Sequence, residues 1–75
     1  MVEARTLLIN GNIVKILCIP SGNKNEAFEL TIDIENNIIL DNIKNNPHAI
    51  HAAFKMFEIY NNTGTIPDSC ISAWC

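Results

Sequence analysis

The sequence has few charged side chains and very few basic ones. Lys, Arg, Asp and Glu make up 17 % of the 75 residues, five of the charged residues are basic, and the net charge is −3. Proteins that bind nucleic acid usually carry a cluster of Lys and Arg that neutralises phosphates. The five basic residues here are scattered along the chain. A nucleic-acid-associated regulator, of the transcriptional or toxin–antitoxin type, is therefore an alternative rather than the favoured function.

Motifs of catalysis are also missing. The chain has three glycines, and it contains no phosphate-binding loop and no nucleophile elbow. Two histidines, His48 and His51, are too few to complete a metal site, which needs three or four ligands. We therefore predict no enzymatic activity, no catalytic residues, no metal ligands and no cofactor.

Long apolar runs are absent as well. No segment reaches the roughly 18 to 20 apolar residues of a membrane helix. The first twelve residues contain Glu3 and lack the apolar core of a secretory signal. We expect no membrane association and a cytoplasmic location.

Three cysteines, Cys18, Cys70 and Cys75, are an odd number and form no C-x-x-C pair. In the cytoplasm such thiols are kept reduced. We expect Cys18 to be buried in a strand and the other two to lie on the C-terminal tail. A small thiol or metal protein is the second alternative function.

The first two thirds of the chain carry strand patterns. An Asn10-Gly11 turn predicts a hairpin with arms at 3–9 and 12–19. Strict alternation of apolar and polar residues over 27–35 predicts a third strand with one buried face. The segment 38–43 fits a short fourth strand or a turn or two of helix, and its β-branched Ile38 and Ile39 favour the strand.

A helix follows from Pro47 to Asn61. Asn46 is a good N-cap, Pro47 suits the first helical position, and Gly64 can end the element. His48 and His51 belong to the polar stripe of this helix, so we expect both to be exposed to solvent.

These elements predict one α+β domain over residues 1–75, in which an antiparallel sheet of three or four strands packs on one amphipathic helix. Residues 65–75 are expected to be an irregular tail, with Trp74, that covers the sheet. The predicted core is Leu8, Ile16, Phe28, Leu30, Ile32, Ile34, Ile50, Phe54 and Phe57.

The hairpin has consecutive apolar residues, at 7–9 and at 16–19. Neighbouring residues in a strand point to opposite faces, so both faces of the hairpin are apolar. One helix covers only one of them. The other must be covered by the tail, by a second subunit in a homodimer, or by another protein.

Acidic residues alternate along the third strand. Glu29, Asp33 and Glu35 are expected on its outward face, either as a solvated surface or as a docking surface for a basic partner. The favoured function is a non-catalytic protein-binding module: a small regulator, adaptor or inhibitor that acts through this acidic face or through the apolar hairpin. Small acidic proteins encoded by phages and plasmids are an analogy for such a role.

Overall fold

The computed structural model describes residues 1–73 and shows an α+β fold. One antiparallel sheet has the strand order β4-β3-β2-β1-β5, and the single helix α1 packs on one of its faces. A 3-10 turn at Lys24–Glu26 lies between β2 and β3. The elements are β1 (Val2–Asn10), β2 (Ile13–Pro20), β3 (Phe28–Asp33), β4 (Ile38–Ile39), α1 (Pro47–Thr63) and β5 (Ser69–Ser72).

The predicted hairpin is present, but its turn lies one residue later than expected. Asn10 pairs with Ile13, so the two-residue loop is Gly11-Asn12. Gly11 has φ 62°, whereas Asn12 is not among the residues with positive φ. Positive φ at the first loop position alone is what a type II′ turn requires, and glycine supplies it without strain.

A bulge interrupts β1 four residues before the loop. The register shifts by one residue between Thr6 and Leu8, which leaves Leu7 without a direct partner. Leu8 pairs with Lys15 and is 61 % exposed. Its placement in the core was therefore wrong, because the bulge turns Leu8 to the face of Lys15, opposite the face that Thr6 shares with Ile16.

The third strand follows its predicted alternation. Leu30, Ile32 and Ile34 are buried beneath α1, and Phe28 is half-buried at the edge of the core. Ile38 and Ile39 form the short strand β4 that pairs with the end of β3. The rest of that segment is irregular, and the Asp41 carboxylate accepts a hydrogen bond from the Thr31 backbone N–H at 2.7 Å.

The sheet has a fifth strand where the sequence predicted an irregular tail, so the expected count of three or four strands was too low. Residues Ser69–Ser72 pair with Val2–Arg5 at the edge of the sheet. The Thr6 hydroxyl donates to the Pro67 carbonyl at 2.7 Å, and the Thr6 N–H donates to the Asp68 carbonyl at 2.8 Å. A four-residue segment is too short for its sequence pattern to predict a strand. It forms one here because the N–H and C=O groups along the edge of β1 pair with it. The prediction for Trp74 lies outside the described residues.

Helix α1 begins at the predicted cap and ends two residues later than expected. The Asn46 side-chain oxygen accepts the N–H groups of His48 and Ala49, at 3.0 and 3.3 Å. Gly64, with φ 72°, closes the last turn. Within residues 1–73, no helix is long and apolar enough to span a bilayer.

The buried face of α1 is rotated from the predicted one. Phe57 is in the core as expected, but Phe54 is 59 % exposed and Ile50 is half-buried. Small side chains lie against the sheet because they let the helix approach it closely. The buried helix residues are Ala49, Ala52, Ala53, Met56 and Phe57.

Candidate protein-binding surfaces

Glu29 lies where the sequence predicted it, on the face of β3 that points away from α1. We call this side of the sheet the outer face. Glu29 is exposed, and its carboxylate lies 3.6 Å from the Lys15 ammonium on the neighbouring strand β2. Arg5 and Glu3 form a second ion pair at 2.6 Å on β1. Both pairs are open to solvent, so they contribute little to stability and leave the outer face nearly neutral.

Asp33 is buried instead of presented to solvent. It is 9 % exposed and accepts two side-chain hydrogen bonds, from Asn12 at 2.8 Å and from Asn36 at 2.9 Å. It also accepts the backbone N–H groups of Glu35 and Asn36. The side-chain amide of Asn36, then that of Asn12, lowers the pKa of Asp33. This carboxylate therefore closes the turn between β3 and β4 and joins it to the hairpin loop.

Glu35 lies beyond the end of β3 and points toward the helix. Its carboxylate accepts a hydrogen bond from the Tyr60 hydroxyl at 2.5 Å. That hydrogen bond raises the pKa of Tyr60, with smaller contributions from burial and from the negative charge. The structure thus places Glu29, Asp33 and Glu35 in three different environments and does not bring them together on one face.

The buried Asp33 network predicts a dependence of stability on acid. Because the folded-state pKa of Asp33 is lowered, its contribution to stability is present above the unfolded pKa and is lost as the pH falls through the folded pKa. We expect Asp33→Asn to be less stable than the wild type at pH 7 and to lose less stability below about pH 4. Urea unfolding at pH 7, 5 and 3 measures both effects. An unchanged acid dependence in the variant would contradict this role.

An exposed apolar surface lies at the end of the hairpin. Four side chains that flank the loop are exposed, and we call them together the hairpin end: Leu7, Leu8, Ile9 and Ile13. The bulge at Leu7 contributes to this exposure, since it shifts the register by one residue between Thr6 and Leu8. They lie on paired strands, so the surface is held in place by the β1–β2 ladder.

Up to residue 73, the tail does not cover the outer face of the sheet. It pairs beside β1 as β5, and its Ile71 is itself 56 % exposed. Leu17 on β2 is half-buried on the same face. Of the three candidate covers for the second face of the hairpin, residues 65–73 of the tail are therefore not one.

The two described cysteines face the helix. Cys18 and Cys70 lie on either side of Ala4 in the sheet, two strand spacings apart, or about 10 Å. That separation exceeds the Cα distance of a disulfide. Burial, and secondarily the neighbouring Cys70, raises the pKa of Cys18 to about 12. Burial also raises the pKa of Cys70, whose Sγ lies 3.6 Å from the Met56 sulfur. Both thiols are therefore protonated at neutral pH.

The two histidines are more enclosed than expected. His48 and His51 were predicted to be exposed, but both are half-buried on α1. The reason is the rotation of the helix, which changes the surroundings of every side chain on it. In the part of the chain that the structure describes, no three His, Cys, Asp or Glu side chains are grouped so that they could hold a metal ion.

Comparison of the chain with protein-family models, with curated proteins and with solved structures finds no significant match in any of the three. The functional argument therefore depends on the surfaces of this fold.

Proposed function

We propose that this protein is a non-catalytic protein-binding module, a small regulator, adaptor or inhibitor, that contacts its partner through the hairpin end. The observation that supports this proposal is the exposure of four large apolar side chains around one loop. Exposed apolar side chains that are grouped in one region mark interaction sites in small proteins. Desolvating such side chains supplies the binding energy, and the rigid hairpin limits the entropy lost on docking.

The acidic residues are a weaker candidate for the contact. Asp33 and Glu35 are both engaged in hydrogen bonds within the chain. Glu29 is exposed but has Lys15 beside it, which offsets its charge. The overall charge of −3 still favours a partner whose surface is positive around an apolar site, since opposite potentials accelerate association.

The test is a triple substitution in the hairpin end: Leu8→Gln, Ile9→Gln and Ile13→Thr. A control with matched chemistry, Ile38→Thr with Leu40→Gln, alters exposed apolar residues on and just after β4. Each protein is checked for folding by circular dichroism and is used to capture proteins from cells of the organism that encodes it. We expect the wild type and the control to retain one protein that the hairpin variant loses. With that protein purified, calorimetry should show affinity for the hairpin variant weaker by about 30-fold or more.

Retention of the same protein by the hairpin variant would contradict the proposal. A Glu29→Lys variant distinguishes the acidic residue on β3 from the hairpin end as the contact surface. Loss of the captured protein with Glu29→Lys, but not with the hairpin variant, would move the contact to the acidic residue on β3.

A further inference from the structure

The strand β5 is an unprotected sheet edge. Within residues 1–73 only β1 pairs with it, and its sequence Ser69–Ser72 contains no charge, no proline and no bulge. Charged residues, prolines and bulges are the features by which proteins usually prevent an edge strand from pairing with another strand. Ile71, 56 % exposed, adds an apolar side chain on the outer face of this edge.

The opposite edge of the sheet is protected. Its strand β4 is only two residues long. Just beyond β4, the Asp41 carboxylate accepts a hydrogen bond from the Thr31 N–H of β3. That N–H is therefore not available to another strand. One edge of this sheet is thus short and blocked by a charge, whereas the other is longer and uncharged.

The hydrogen-bonding groups that β5 leaves open can be identified. The Thr6 N–H donates to the Asp68 carbonyl, so these two residues form a hydrogen-bonded pair. Such pairs alternate in an antiparallel ladder, which makes Ala4 and Cys70 the next one. The N–H and C=O groups of Ser69 and Ile71 therefore point away from β1, to the free edge.

Helix α1 lies close to this edge. It packs most extensively against β5 and β1. A shallow pocket of about 200 Å³ joins the exposed face of the helix to the end of β5, and its lining includes Phe54, Lys55, Glu58 and Ser72. Lys55 and Glu58 carry opposite charges, with Nζ and Oε1 2.9 Å apart. A surface that has both signs of charge and an exposed aromatic ring can be complementary to a copy of itself.

We propose that β5 pairs with β5 of a second copy of this chain, antiparallel and about a two-fold axis beside Cys70. That axis places Ser69 opposite Ile71 of the second copy, and the reverse, so all four open N–H and C=O groups of each chain are bonded. The two helices then lie on the same face of a continuous sheet, one on each side of the two-fold axis. Phe54 contributes apolar contact there, and Lys55 faces Glu58 of the second copy. This surface is separate from the hairpin end.

Ile71→Pro tests the pairing with little disturbance of the monomer. The Ile71 N–H points to the free edge, so proline there removes no hydrogen bond to β1. Ile71→Val is the matched control, because it keeps the N–H and the strand propensity. Sedimentation velocity over a range of protein concentrations should show dimers for the wild type and for Ile71→Val. Ile71→Pro, with unchanged circular dichroism, should dissociate about 10-fold more readily or worse, since two hydrogen bonds are lost per dimer.

Amide hydrogen exchange of the wild type tests the same pairing without any substitution. The Ser69 and Ile71 amides should be protected at concentrations where the dimer forms and should exchange rapidly after dilution. The Cys70 amide, bonded to β1, should stay protected in both conditions. A wild type that is monomeric up to about 1 mM, a range that covers weak association, would overturn the proposal. So would a dimer whose dissociation constant is the same in Ile71→Pro as in the wild type, or one abolished by the hairpin substitutions alone.

Discussion

Leu30→Ala is expected to destabilise the protein by about 2–5 kcal/mol. Leu30 is 1 % exposed and belongs to the hydrophobic core that the sheet shares with α1. Truncation leaves a cavity that close-packed neighbours fill only in part. A domain of this length has a total stability of about 4–11 kcal/mol, so the substitution removes a substantial fraction of it. Urea unfolding followed by circular dichroism measures the loss.

Leu8→Ala is the matched control for Leu30→Ala. It is the same chemical change at a side chain that is 61 % exposed, and it should alter the free energy of unfolding by less than about 0.5 kcal/mol. The sequence placed both leucines in the core. Equal losses in the two variants would mean that Leu8 is buried after all and that the register of the hairpin differs from the one described.

Phe57→Ala is expected to cost about 3–5 kcal/mol. Phe57 is 5 % exposed. It lies on α1 and packs in the hydrophobic core between the helix and the sheet. A phenylalanine is among the largest apolar groups that a small core holds, so its removal detaches much of the helix from the strands. The measurement is the midpoint of urea unfolding at a protein concentration at which the wild type is monomeric.

Phe54→Ala provides the comparison within the same helix. The Phe54 ring is 59 % exposed and lies 6.2 Å, centroid to centroid, from the ring of Phe57. We expect its truncation to reduce monomer stability by less than about 1 kcal/mol, chiefly through that ring contact. A loss as large as that of Phe57→Ala would show that the helix presents the face predicted from its sequence rather than the face described.

Local signals predicted the parts of the fold that local chemistry decides. The Asn46 cap, Pro47 and Gly64 set the ends of α1 within two residues, because a cap is a contact between near neighbours in the chain. The alternation in β3 identified its buried side chains, since a strand with one covered face needs a period of two. The presence of a hairpin followed from the glycine in its turn.

The structure does not bring the three acidic residues onto one face, because Asp33 and Glu35 are hydrogen-bonded within the chain, by near neighbours and by distant residues. Asp33 alternates correctly with Glu29, yet its carboxylate is taken by Asn12, which lies 21 residues earlier in the chain. Glu35 is taken by Tyr60, which lies 25 residues later. The consecutive apolar residues of the hairpin indicated part of the exposed hairpin end, but the bulge decided which of these side chains face solvent.

The sequence by itself determined the α+β class, the helix with its caps and the buried face of β3, because these depend on periodicity and on interactions a few residues apart. Only the tertiary structure decided the register of the hairpin, the rotation of α1 and the pairing of β5 with β1. Each of these depends on contacts between distant segments: close packing favours the small side chains of α1 against the sheet, and an open strand edge pairs with whichever segment reaches it.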